Sequence, residues 1–178
     1  RGIEEQTYIE IGEELYTKQI ARLIYPESRA LVDAHLEKGH TVAVISSATP
    51  YQVEPAARDL GIDHVLCTTL EVKNGKFSGS VNRPTCFGQG KVDAAESLAK
   101  ARRADLDNGF FYSDSTDDLL LLERVGQPRA VVHVLGGERV LPAALHVDDP
   151  DHLAEVRARM LPAAAAMGTR GWDAALTA

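Results

Sequence analysis

Cysteine is scarce in this chain of 178 residues, which carries only Cys67 and Cys86. Two cysteines are too few for a disulfide framework, and no C-x-x-C spacing offers a metal or redox motif. A reducing compartment, the cytoplasm, is therefore the expected setting. No apolar run reaches the roughly 18 residues that a membrane-spanning helix needs. Basic residues are outnumbered, 19 Lys and Arg against 26 Asp and Glu, for a formal net charge of −7. That balance speaks against nonspecific nucleic-acid binding, which needs a basic surface. It does not speak against phosphate, because an acidic protein can hold a locally positive site. No signal peptide and no internal repeat is visible. The first residue is Arg1 rather than Met, in what reads as the run-up to a helix, so the chain is expected to be a fragment.

What is present is globular: 44% hydrophobic and 25% charged residues, enough chain for one domain with a real core. Apolar residues at Tyr8, Ile9, Ile11, Leu15, Tyr16, Ile20, Leu23 and Ile24 follow a helical period and predict a helix over 4–24. Pro26 ends it and opens a second, which Gly39 closes. Thr41–Ile45 is a continuous apolar run, as in a parallel strand buried on both faces. Pro50 begins a third helix that Gly61 ends, and 64–67 is a second short strand. Residues 69–81 read as a β-hairpin, with Asn74-Gly75 supplying the positive φ angles of a two-residue turn. A helix over 90–103, a strand over 109–112 and a short helix over 116–124 complete an alternating order, which argues an α/β fold with a mainly parallel sheet. Beyond Ala130 a last strand and hairpin over 131–141 and a helix over 150–160 are expected. The Ala-rich stretch 161–178, with Trp172, reads as a linker or docking helix.

In open α/β sheets ligands bind outside the carboxyl ends of the strands. Three groups fall there or beside them: Ser46-Ser47-Ala48-Thr49, the helix start Gly88-Gln89-Gly90-Lys91, and Ser113-Asp114-Ser115-Thr116-Asp117-Asp118. Each has a use in phosphoryl transfer. Serine hydroxyls and backbone N–H groups hold phosphate oxygens. A lysine neutralises phosphoryl charge. Carboxylates at a strand end bind Mg²⁺, a hard ion that prefers oxygen.

Val44-Ile-Ser46-Ser-Ala, then Lys91, then Asp114-Ser-Thr-Asp-Asp118 followed by Leu119, resembles the second, third and fourth motifs of the haloacid dehalogenase superfamily. The closest likeness is to subfamily IB, the phosphoserine-phosphatase-like branch. A hairpin (Leu70–Val81) ahead of the Gly-rich approach Cys86-Phe-Gly-Gln-Gly-Lys91 is one of its habits. The resemblance covers about residues 29–130, and its strength lies in the order and spacing of the motifs. It implies a Rossmann-like core over 26–130, a remnant of a small helical cap over 1–25, and a C-terminal extension or linker over 131–178. It implies a phosphatase acting through an aspartyl-phosphate with Mg²⁺ on a small phosphorylated substrate. Ser46 would bind the phosphoryl group, with Ser47 beside it. Lys91 would bind the same group and stabilise the intermediate, Asp114 would hold the metal, and Asp118 would act at the metal site and in catalysis. Similar domains occur in actinobacterial proteins fused to a lysophospholipid acyltransferase, which suggests such a partner here.

The sequence departs from the family in three places, one of them the stretch beyond Ala130, which does not follow the family closely. The nucleophilic aspartate of the first motif is missing, and is expected upstream of Arg1. Asp105-Leu-Asp107 is an Asp-x-Asp, but it precedes a strand and follows Lys91, so it reads as a loop. Ser113 stands where the family usually has glycine. The bland readings are that Ser46 and Ser47 cap the helix at Pro50, that Lys91 is a solvated first-turn lysine, and that Asp114, Asp117 and Asp118 cap the helix after them. His35, His40, His64, His133, His146 and His152 lack ligand spacing and read as surface or packing residues, Cys67 as core, Cys86 and Arg83 as loop residues. The alternative to a phosphatase is a non-catalytic module of the same fold, serving a fused partner.

Overall fold

The computed structural model describes residues 1–130. By its internal contacts the chain divides into two compact units, Arg1–Asp105 and Leu106–Ala178. The expectations for 131–178, including His133, His146, His152 and Trp172, lie outside the described residues.

The first unit begins with α1 (Glu5–Leu15), which runs on through a π turn, Tyr16–Ile20, and a 3₁₀ turn, Ala21–Leu23. The predicted helix over 4–24 is thus present as one helical run that changes pitch in its second half. The other elements of this unit are α2 (Pro26–Glu37), β1 (Ala43–Ser46), α3 (Pro50–Asp59), β2 (His64–Cys67), β3 (Leu70–Lys73), β4 (Lys76–Val81) and α4 (Gln89–Arg102). Strands β1 and β2 pair in parallel, with Ser46 beside Cys67. Strands β3 and β4 form the antiparallel hairpin. Its turn residues Asn74 and Gly75 have φ 52° and 73°, the positive pair that the sequence demanded.

The hairpin is fixed by its neighbours. Residues 2–5 add to its edge, with Gly2 N–H donating to the Phe77 carbonyl (2.8 Å) and Phe77 N–H to that of Ile3 (2.9 Å). Phe77 is buried and meets Tyr8 and Tyr51 edge-on, at ring-centre distances of 4.9 and 5.5 Å. Such pairs contribute about 0.5–1.5 kcal/mol each beyond their burial. Helices α1 and α3 close on each other because position 12 has no side chain: a Cβ on Gly12 would lie 1.9 Å from the Tyr51 carbonyl oxygen. A mid-helix glycine costs up to ~1 kcal/mol against alanine, and here that cost is the condition for the contact. Tyr16 donates to the Asp59 carboxylate (2.6 Å), which also pairs with Arg29, tying the π turn, α2 and α3 together.

Of the second unit, β5 (Phe110–Ser113), a 3₁₀ turn Thr116–Asp118, α5 (Leu119–Arg124) and β6 (Gln127–Ala130) are described. β5 and β6 pair in parallel. The sequence placed the last strand from Val131; strand pairing begins earlier, through Pro128. Gln127 N–H points at β5 and donates to the Gly109 carbonyl (2.9 Å). Successive N–H groups along a strand alternate in side, so the N–H that Pro128 lacks would have faced away from β5. Among the described residues of this unit, Leu121, Leu122 and Val125 are the buried apolar side chains.

The α/β class with parallel strand pairing stands as expected. Burial of β1 differs: its residues are half-buried, where the apolar run predicted cover on both faces. Among the described residues β1 has a partner on one edge only, β2, and β5 likewise has only β6.

Candidate active site

At the exit of β1, Ser46 is half-buried and its Oγ accepts the N–H of Ala48 at 3.2 Å. This local turn sets the hydroxyl just past the strand end. Ser47 is exposed. Neither serine caps α3. That post belongs to Thr49, whose N–H and hydroxyl both donate to Gln52 Oε1 at 3.1 Å. Capping is therefore no reason for Ser46 to be a serine.

Lys91 lies in the first turn of α4 and is only 7% exposed, not the solvated side chain that the plain reading supposed. An ammonium group is rarely buried to this degree without compensation, and a helix N-terminus adds a dipole of the wrong sign for a cation. The helix start is held close by glycines. Gly88 has φ 51°, and a Cβ on Gly90 would meet the Thr85 carbonyl oxygen at 1.9 Å. α4 packs against both β1 and β2, so Lys91 and Ser46 sit on adjoining elements.

Cys86 lies in the loop before α4, as expected, and it is the more buried of the two thiols. Cys86 is buried, its Sγ donating to the Leu66 carbonyl at 3.4 Å and its N–H to Thr68 Oγ1 at 3.0 Å. Cys67 is half-buried, and burial, with Cys86 and Glu54 nearby, pushes its thiol up to about 11. It is a neutral thiol at physiological pH. Arg83 is exposed, as a loop residue should be.

The second unit carries the acids. Asp118 is 6% exposed and Ser113 8%. Ser113 Oγ donates to Asp118 Oδ2 at 2.6 Å and accepts the N–H of Ser115 at 3.1 Å. The residue that breaks the family's glycine habit thus orients the buried acid. Sequence reasoning missed this role; the available signal was a short hydroxyl residue at the strand exit, five positions ahead of the acid. Asp114 and Asp117 are exposed, and Asp117 N–H donates to Ser115 Oγ at 3.2 Å. The capping role expected of the acids falls to Ser115 instead. Asp107 pairs with Arg124 at 3.0 Å, and its carbonyl oxygen presses on Gly126, where a Cβ would come within 1.6 Å. The Asp-x-Asp at 105–107 is therefore built into the structure of the loop, as expected.

Among the described residues no three His, Cys, Asp or Glu side chains converge as a metal site. Mg²⁺ does not require that many: it is commonly held by one or two carboxylates, with waters and substrate phosphate completing the shell. Asp114 and Asp118, all-oxygen donors at one strand exit, fit such an ion. The buried Asp118 carboxylate supplies fixed negative charge, and the exposed Asp114 can reach solvent.

The first unit thus carries a half-buried hydroxyl at a strand exit and a buried lysine at a helix start, and the second carries two acids at a strand exit. Residues 1–123 match the family model of the haloacid dehalogenase-like hydrolases, and the chain belongs to that family. A probable phosphatase of Mycobacterium tuberculosis is 37% identical over 112 residues, covering 63% of this chain and 39% of that protein. A phosphoserine phosphatase of the same organism is 36% identical over 124 residues, covering 69% and 40%. The chain therefore spans about two-fifths of these relatives. A solved protein of unknown function from Bordetella pertussis shares the fold, with a TM-score of 0.69 and 23% identity over 88% of this chain and 65% of that one.

Proposed function

We propose that the intact protein hydrolyses a small phosphomonoester through an aspartyl-phosphate, with Mg²⁺, and that its nucleophilic aspartate is supplied by chain preceding Arg1. The observation that carries this reading is the state of Ser46. Among the described residues its hydroxyl accepts one backbone N–H and donates to no protein acceptor, so its proton is available to an anion held at the strand exit. Two further facts support it. The edges of β1 and β5 that lack a strand partner among the described residues can each receive another strand. The relatives that carry phosphatase names are more than twice as long as the part this chain covers.

In this reading Ser46 Oγ donates to a phosphoryl oxygen, with the neighbouring Ser47 contributing from its exposed position. Lys91 offsets the negative charge of the phosphoryl group as it is transferred, and its burial strengthens that interaction. Asp114 and Asp118 would hold Mg²⁺, which supplies charge neutralisation between the phosphate and the carboxylates. Ser113 keeps Asp118 in one orientation. Free thiols at Cys67 and Cys86 support a reducing, cytoplasmic setting. No helix among the described residues is long and apolar enough to cross a membrane.

The test is phosphate release by the protein extended upstream of Arg1, assayed with phosphoserine and other small phosphomonoesters, with and without Mg²⁺. Activity that needs Mg²⁺ and falls about a hundredfold or more in Asp114→Asn supports the reading. Activity unchanged in Asp114→Asn overturns the site, and an extended protein that turns over no phosphomonoester leaves the non-catalytic module as the better account.

A further inference from the structure

Helix α2 ends in a full Schellman motif. Gly39, at φ 72°, lies in the left-handed region just past the helix. Gly39 N–H donates to the Leu36 carbonyl at 2.9 Å, and His40 N–H to the His35 carbonyl at 3.1 Å. These are the 5→2 and 6→1 bonds of the motif, and they bring the side chains of its third-last and second-following positions together. That contact is ordinarily hydrophobic. Here the two positions are His35 and His40.

Their rings meet through the same nitrogen, Nδ1 to Nδ1, at 2.8 Å, with ring centres 5.1 Å apart. One proton between the two nitrogens satisfies both. A metal ion can take that proton's place. Two imidazole nitrogens each ~2.0–2.1 Å from one ion, at a right angle, lie ~2.9 Å apart; the nitrogen spacing matches this, and each ring would turn by about 45° from its present hydrogen-bonding direction to aim its lone pair at the ion. His40 is exposed and His35 half-buried, so the point between them is open to an ion from solvent. The backbone motif fixes both Cα positions before any ion binds, which removes part of the ordering cost. The carbonyl end of a helix also favours positive charge. Lys38, one residue before Gly39, opposes it and limits the affinity.

We propose that His35 and His40 form a two-imidazole site for a divalent transition-metal ion, Cu²⁺ foremost, at the C-terminus of α2. Two neutral nitrogen donors select Cu²⁺, Ni²⁺ and Zn²⁺, in that order of strength for Cu²⁺ over the others, and disfavour Mg²⁺. Water completes the coordination. The site is separate in residues and in donor chemistry from the oxygen donors at Asp114 and Asp118.

Cu²⁺ alone is the probe, titrated into the 178-residue chain and followed by calorimetry and electron paramagnetic resonance. The expected result is a bound ion with two imidazole nitrogens, not displaced by millimolar Mg²⁺. His35→Gln and His40→Gln should each weaken it by at least about tenfold, since loss of a mere supporting contact to a ligand already costs about that much. Circular dichroism checks that the variants keep their helices. In the unaltered chain, Cu²⁺ should broaden the imidazole proton signals of His35 and His40 before those of His64, a readout that needs no variant. No binding by the unaltered chain, a double variant that binds Cu²⁺ as tightly, or displacement by Mg²⁺ would each overturn the proposal.

Discussion

The exits of β1 and β5 use one local device to opposite ends. Each strand ends on a serine whose Oγ accepts the N–H two residues on, Ala48 to Ser46 at 3.2 Å and Ser115 to Ser113 at 3.1 Å. The backbone turn is the same, so position alone cannot tell the two serines apart. They differ in where the hydroxyl proton goes. Ser113 is buried and gives its proton to the Asp118 carboxylate. Ser46 is half-buried and, among the described residues, gives its proton to no side chain or carbonyl. A serine at a strand exit becomes a ligand-binding group only when the fold leaves its proton uncommitted. In the proposed function the first of these serines binds phosphate, while the second holds an acid in place.

The largest effect that can break this contrast is on activity. In the extended, active protein, Ser46→Ala should lower kcat/KM for its phosphomonoester by about a hundredfold to a thousandfold, the size of loss seen when one positioned donor is removed. The folding stability of the same variant should fall by only about 0.5–1.5 kcal/mol, for the one half-buried hydrogen bond from Ala48 N–H that it removes. An activity loss of under about threefold would return Ser46 to a purely local role.

Next in size is Gly90→Ala. Its Cβ would meet the Thr85 carbonyl oxygen at 1.9 Å, a backbone atom that cannot swing aside. The start of α4 must shift, and Lys91 with it. A destabilisation of about 1–3 kcal/mol is expected, read from urea unfolding of the chain. Gly75→Ala, where space is open but φ is 73°, gives a comparison in which only backbone strain acts.

Ser113→Ala should cost stability and not only activity. Removing the hydroxyl leaves the buried Asp118 carboxylate without that donor, at about 1–3 kcal/mol. If Ser113→Ala is neutral in stability while Ser46→Ala is costly, the contrast drawn between the two exits is reversed and fails.

How much of this was legible beforehand follows from how local each cause is. The hairpin turn at Asn74-Gly75, the helix starts at Pro26 and Pro50 and the cap at Gly39 were all readable, because backbone preference at those residues decides them. Ser46, Lys91, Asp114 and Asp118 were singled out by residue type and order. Their burial was not readable, since it depends on packing between elements distant in sequence. Gly12 gave no sign of its contact with the Tyr51 carbonyl, 39 positions away in a different helix. The strand through Pro128 was missed because proline argues against strand, unless one knows which edge its missing N–H would face. The His35–His40 contact was not legible because their spacing in sequence is not a metal-ligand spacing, and the capping motif after the helix is what brings them together.

The smallest effect concerns a third strand exit. β2 ends on Cys67, which pairs in register with Ser46, so its side chain shares that face of the sheet. A thiolate there would put a negative charge beside the group proposed to bind phosphate. Burial prevents this, with Cys86 and Glu54 adding to it, by pushing Cys67 up to about 11. The sign for stability follows from proton binding. Between the free thiol's 9.0 and about 11, the folded chain holds a proton that the unfolded chain has released. Cys67 therefore contributes stability that is fully present below pH 9.0 and is lost as pH rises through about 11. Thiolate absorbance near 240 nm, titrated in Cys86→Ser so that Cys67 alone reports, should show a midpoint well above 9.0, though below that of the intact pair because one charge is gone. Urea unfolding at alkaline pH should lose this increment in the unaltered chain and not in Cys67→Ser. A midpoint at the ordinary thiol value would mean that Cys67 is wetter than its place beside Ser46 requires, and that the phosphate side of the sheet is not shielded as the two strand exits suggest.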